Sequence, residues 1–185
     1  LYDVDGFLAD WLADVEAEQK HAEGYVPFVV PDVLKYQDLP KEFPEPESAA
    51  IWSDAAVWVP WALWTAYGDE EVLARQYGSI TSHTRRVASL LSETGLWDTG
   101  FQFGDWLDPD AAPELPADAK ADPAVVATAC AAHTAGLSAQ IAELLGRAED
   151  AEEFRALAAR IGTAFREHYV EDAGTIRSDL SLIHI

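Results

Sequence analysis

Two stretches hold residue types that could do chemistry together. One is Trp52-Ser53-Asp54. The other is Trp97 to Asp110, WDTGFQFGDWLDPD, with two Trp, two Phe and four Asp. Loops rich in aromatics and carboxylates can bind a polyhydroxylated ring. Aromatic faces cover the apolar C–H side of a sugar, and carboxylates accept from its hydroxyls. Burying roughly 100 Å² of apolar surface on one Trp is worth about 2.5 kcal/mol. A hydroxyl bonded to a charged acceptor adds roughly 1.5–3 kcal/mol. The candidate ligands are Trp52, Asp54, Asp105 and Trp106. Structural alternatives stand beside this reading: Trp97, Phe101 and Trp106 could plug the end of a helical core. Asp54 could be a first-turn acid favoured by a helix dipole, and Asp108 and Asp110 could be turn formers around Pro109. Cleaving a glycosidic bond needs two carboxyl groups, one on each side of it. Asp54 and Asp105 are the best placed, but their separation is not set by sequence. There is no G-x-S-x-G elbow, P-loop or H-E-x-x-H motif. Nothing points to a metal, a nucleotide or another cofactor.

The elements that position these residues follow from periodicity. Helices are expected over 3–22, 53–67, 69–93, 123–145 and 150–170, with apolar residues at i, i+3 and i+4. In the first, Val4, Phe7, Leu8, Trp11, Leu12 and Val15 form the stripe. The second and fourth are apolar nearly all round, so they should be buried on every side. Ser53 or Asp54 is the natural cap of the second. Asp122 before Pro123 caps the fourth. His83 and His133, each within a helix, read as structural histidines. Prolines 27, 31, 40, 44 and 46 exclude a helix from residues 25–51. Short turns at Gly68-Asp69 and Gly146–Glu149 lead from apolar to amphipathic helices. Long connections, 25–51 and 94–121, lead the other way. In an antiparallel array all the long loops then share one end, at the N-termini of the buried helices. That is the pattern of a double ring of helices, with a solenoid of helical hairpins as the competing architecture.

Composition bounds the class. The chain has 185 residues, one cysteine (Cys130), no methionine and a formal net charge of −21. That charge excludes ordinary nucleic-acid binding, which needs a basic face. One cysteine excludes an internal disulfide framework, and Cys130 reads as a small core residue. No apolar run is expected to cross a membrane. The missing methionine and a first residue already inside a helical pattern suggest a piece of something longer. A signal peptide on a missing N-terminus would be invisible, so location is left open, with the cytoplasm favoured.

DVDGFLADWL, WSDAAVWVPW, the following YGD, TGFQFGDWLDP and DAGTIRSD together resemble the bacterial α-L-rhamnosidases of glycoside hydrolase family 78. The resemblance covers residues 1–179 and implies an all-α fold, about five helices of an (α/α)6 barrel. It implies removal of terminal α-L-rhamnose from glycosides or oligosaccharides with inversion. Trp52 and Trp106 would wall the sugar pocket, and Asp54 and Asp105 match carboxylates near it. The family's general acid and general base fall outside this chain, so the chain alone is expected to be inactive. Ile51 stands where the family often has Gly. Residues 180–185, LSLIHI, leave the family pattern and read as a non-native or truncation tail. The alternatives are a glucoamylase-like or trehalase-like barrel enzyme, or a non-catalytic helical scaffold for a protein partner.

Overall fold

The computed structural model describes residues 3–38, 45–104, 112, 122–172 and 174–176. Among them are five α-helices: α1 (Asp5–His21), α2 (Ala55–Tyr67), α3 (Glu70–Leu90), α4 (Pro123–Leu144) and α5 (Ala148–Tyr169). A 3-10 turn, Leu34–Tyr36, lies in the first long loop. No strand occurs among the described residues, only one antiparallel bridge between Val170 and Ile176. The expected tail, 180–185, lies outside them.

Local chemistry sets the helix ends. The Asp69 carboxylate accepts from Glu71 N–H at the start of α3. Asp122 accepts from Ala124 N–H at the start of α4, with Pro123 at the first position, where no N–H is needed. Gly68 closes α2 in the left-handed region (φ 72°), and its N–H donates to the Trp64 carbonyl.

The packing is that of two concentric layers. The hairpins α2–α3 and α4–α5 each pair a mostly apolar helix with an amphipathic one. The apolar helices α2 and α4 also pack on each other, and so do the amphipathic α1 and α3. One core cluster joins Leu12, Val57, Leu63, Leu73, Ile80, Leu137 and Ile141 from α1 to α4. A second, around Val87, Trp97, Ala127 and Ile161, joins α3, α4 and α5 near the end where the long loops lie.

Four expectations need correction. The inner helices are not buried on every side: Ala62, Thr65 and Ala66 of α2 and Ala129, His133 and Gln140 of α4 are exposed. Those sides stay open to solvent among the described residues, where five helices make an arc and not a closed ring. His133 is therefore an exposed ring lying edge-on to Trp58, at 5.3 Å, and not a core histidine. Phe7, placed in the inner stripe of α1 by its spacing, is 71% exposed, since no described element covers the first turns of that helix. Finally, α4 is long and apolar enough to cross a membrane by length and composition. In this fold 61% of its apolar window is buried against the other helices, as befits a core helix.

Charges tie the outer layer together. Arg85 of α3 reaches Asp150 at 2.6 Å and Glu153 at 2.6 Å on α5, and Tyr77 Oη donates to Asp150 Oδ2 at 2.5 Å. The Tyr77 hydroxyl and then the Arg85 guanidinium hold the Asp150 carboxyl below its ordinary value. A carboxylate with a depressed folded pKa adds stability above its unfolded value and loses it as the pH falls through the folded one. The parent chain should therefore be more stable than Asp150→Asn near neutrality, with the difference fading below about pH 4. Paired urea titrations at several pH values check this. The pair is solvent-exposed, so the difference is small.

Candidate functional site

The long loops meet where α2 and α4 begin, and the turn before α2 is built by side chains folding back on it. Ser53 Oγ accepts from Ala49 N–H (2.9 Å) and donates to the Val26 carbonyl (2.8 Å). Asp54 occupies the cap position of α2 but makes no capping bond to the helix. Its Oδ2 instead accepts from Ile51 N–H at 2.8 Å. Ile51 is held in the left-handed region, φ +70°. A β-branched residue there carries a cost of roughly 1–2 kcal/mol. This explains why Gly suits the position, as the resemblance implies.

The turn delivers Trp52 onto an aromatic group. The half-buried Trp52 stacks on Phe103, with centroids 4.5 Å apart and planes 22° apart. Phe103 meets Phe28 edge-on at 5.1 Å and Phe101 edge-on at 4.9 Å. Phe101 remains 39% exposed. Three segments thus contribute to one apolar wall: Phe28 from the first long loop, Trp52 from the turn, and Phe101 and Phe103 from the second long loop. Two connections hold the segments in register. Ala50 N–H donates to the buried Gln102 Oε1 at 2.8 Å. Arg86 of α3 pairs with Glu47 side-on, its Nε and Nη2 donating to the two carboxylate oxygens.

Gly104, the last residue of the described run 45–104, has φ +59°, and a Cβ there would lie 3.2 Å from Pro123 at the head of α4. Gly104→Ala should destabilise the domain by about 1–3 kcal/mol, from the strained φ together with the displaced helix start. Urea unfolding of parent and variant measures it.

Behind the wall lies a buried polar node. The Asp54 carboxylate is completely buried, and so is His83. Asp54 Oδ1 accepts from Thr134 Oγ1 of α4 at 2.7 Å and lies 3.0 Å from His83 Nε2 of α3. Trp58 Nε1 donates to Thr134 Oγ1 at 2.8 Å. The node links the turn to α2, α3 and α4. The half-buried Cys130 is close enough to feel the charge of Asp54. Burial, with that charge adding to it, pushes the Cys130 thiol up to about 12, so it stays protonated and unreactive near neutrality.

The sequence candidates therefore separate. Trp52 is on the loop-end wall. Asp54 is beneath it, with both oxygens committed to protein donors and none presented to solvent, because the carboxylate turned back to serve Ile51. Asp105 and Trp106 lie outside the described residues, as do Asp108 and Asp110. Trp97 is 1% exposed and is a core plug, its backbone N–H donating to Thr128 Oγ1 at 3.0 Å. Phe28, Phe103 and Thr134 were not singled out from the sequence. The FQF repeat, which sends two rings to one side and Gln102 to the other, was the available signal for Phe103. Among the described residues no group of three His, Cys, Asp or Glu side chains could hold a metal ion.

Residues 1–182 match the bacterial alpha-L-rhamnosidase six-hairpin glycosidase domain. The chain belongs to that family. Among α-L-rhamnosidases of known sequence, that of Streptomyces avermitilis is 34% identical over 179 residues, 97% of this chain but 15% of the relative. The one from Formosa agariphila is 29% identical over 176 residues, 92% of this chain and 17% of its own length. Solved structures agree. Native α-L-rhamnosidase from Aspergillus terreus superposes with a TM-score of 0.82 at 30% identity, covering 96% of this chain and 20% of the other. The Streptomyces avermitilis α-L-rhamnosidase complexed with L-rhamnose gives 0.72 at 36%, covering 92% and 14%. The chain spans less than a fifth of the curated relatives it matches. Within the rhamnosidase domain these five helices are one arc of the helical rings.

Proposed function

We propose that this chain is the arc of an inverting α-L-rhamnosidase that supplies part of the sugar-binding wall and none of the catalytic carboxyl groups. The substrate is a glycoside or oligosaccharide ending in α-L-rhamnose. Trp52 and Trp106 cover the apolar face of the ring, and Asp105 accepts from its hydroxyls. The observation that carries this reading is the Trp52 ring seated on Phe103 at the loop end of the inner helices. It stands beside a relative whose crystal structure was determined with L-rhamnose.

Stacking suits the ligand. Rhamnose is a 6-deoxy sugar, and its methyl group adds apolar surface for an aromatic wall to cover, at roughly 25 cal/mol per Å². The strongly acidic composition gives such a neutral ligand no electrostatic steering, so shape and stacking must supply the affinity.

The test uses the longer protein that contains this chain, assayed on aryl α-L-rhamnoside beside aryl α-glucoside. The anomer first released is followed by NMR. Rhamnose release as the inverted anomer is the expected result. Activity on the glucoside alone would keep the barrel and replace the substrate. A folded protein inactive on both would favour a helical scaffold.

A further inference from the structure

Asp54, the carboxylate the sequence offered as a sugar ligand, has no solvent-facing atom, yet three polar groups from separate segments converge on it. The direction of each bond around it follows from what each partner can donate. The Trp58 indole only donates, so Thr134 Oγ accepts from it and gives its single proton to Asp54 Oδ1. Ile51 N–H can only donate, and does so to Oδ2. His83 Nδ1 is buried with no partner among the described residues. A proton there would have no acceptor, so the geometry favours the tautomer with its proton at Nε2, facing Asp54 Oδ1. Three donors from the turn, α3 and α4 thus converge on one carboxylate. The bond that leaves this node for the surface goes to Ile51, the left-handed residue directly before Trp52.

We propose that Asp54, held by Thr134 and His83, is a positioning residue that fixes the sugar wall by locking Ile51 in its left-handed conformation and so setting Trp52 against Phe103. The inference rests on reading Trp52 as part of that wall. It makes a specific demand. If the carboxylate serves to hold Ile51 at φ +70°, a residue that adopts this conformation unaided should need the carboxylate less. Glycine is that residue.

The experiment is L-rhamnose binding by calorimetry, with kcat and KM on aryl α-L-rhamnoside, in the full-length enzyme. Trp52→Ala is the reference variant. Asp54→Asn should weaken L-rhamnose binding about tenfold and raise KM in parallel, with kcat changed far less. Adding Ile51→Gly to Asp54→Asn should recover much of that loss. Thr134→Val should shift binding in the same direction by a smaller factor, and Thr134→Ser, which keeps the hydroxyl, should restore it. Circular dichroism of each variant separates misplacement from unfolding. If Asp54→Asn does not fold, Thr134→Val against Thr134→Ser carries the test. The inference is overturned if a folded Asp54→Asn or Thr134→Val binds L-rhamnose as the parent does. It is equally overturned if Ile51→Gly recovers none of the loss. If Trp52→Ala itself leaves L-rhamnose binding unchanged, the wall reading is what has failed. If Trp52→Ala collapses binding and Asp54→Asn does not, the positioning role alone has failed.

Discussion

Trp52→Ala in the full-length enzyme should weaken L-rhamnose binding by about 2.5 kcal/mol, roughly 70-fold, if the indole covers about 100 Å² of the sugar. The loss should appear in KM and in the affinity for free L-rhamnose. A stacked wall touches ground state and transition state alike, and uniform binding of that kind lowers KM without raising kcat. The size also depends on what lies behind the indole. Phe103 sits 4.5 Å beneath it and is braced edge-on by Phe28 and Phe101, so the ring is ordered before the sugar arrives. Pre-ordering lowers the entropy lost on binding. Trp52→Phe, with a smaller ring over the same Phe103, should recover part of the affinity. Calorimetry with L-rhamnose and initial rates on aryl α-L-rhamnoside measure both. A Trp52→Ala enzyme with parental KM would remove Trp52 from the sugar site.

The helices were legible because their causes are local. The 3.6-residue apolar period of α3, the Asp122-Pro123 start of α4 and the glycine closing α2 each lie within a few residues of the feature they produce. The sharing of one end by the long loops was legible too, since alternation of short and long connections fixes it in an antiparallel array. The fate of Asp54 was not. Its type and spacing fit a helix cap, a sugar ligand or one member of a carboxyl pair. What decided was the arrival of Thr134, 80 residues later, and His83, 29 residues later, at the same carboxylate. Thr134 itself gives no signal, being one small residue in an alanine-rich helix. Phe7 failed for the complementary reason: helical spacing tells which residues share a face, and burial of that face depends on whether another element covers it.

The same node carries the largest expected stability effect. Asp54→Ala removes the acceptor shared by Ile51 N–H, Thr134 Oγ–H and His83 Nε2–H in a site with no water-accessible surface. A buried donor left unpaired costs about 1–3 kcal/mol, and removing one partner of a buried charged group typically costs about 3–5 kcal/mol. The second range is the better guide. The three losses are not independent, and the turn can move to rehydrate Ile51 N–H once its anchor is gone. Asp54→Ala should therefore destabilise the domain by about 3–5 kcal/mol, against about 1–2 kcal/mol for Thr134→Val, which strands the Trp58 indole N–H as well. Because both changes act on one network, the double variant should be less destabilised than the sum by roughly 0.5–3 kcal/mol. Urea and thermal unfolding of the longer protein, followed by tryptophan fluorescence, measure all three. Additive costs would mean that Thr134 and Asp54 are neighbours without energetic coupling. A cost for Asp54→Ala below about 1 kcal/mol would mean that the carboxylate contributes little net stability, as well-solvated surface pairs do. Coupling of the expected size would make the loop end of the inner helices one cooperative unit, in which the left-handed Ile51, the Trp52 ring and the starts of α2 and α4 are held or lost together.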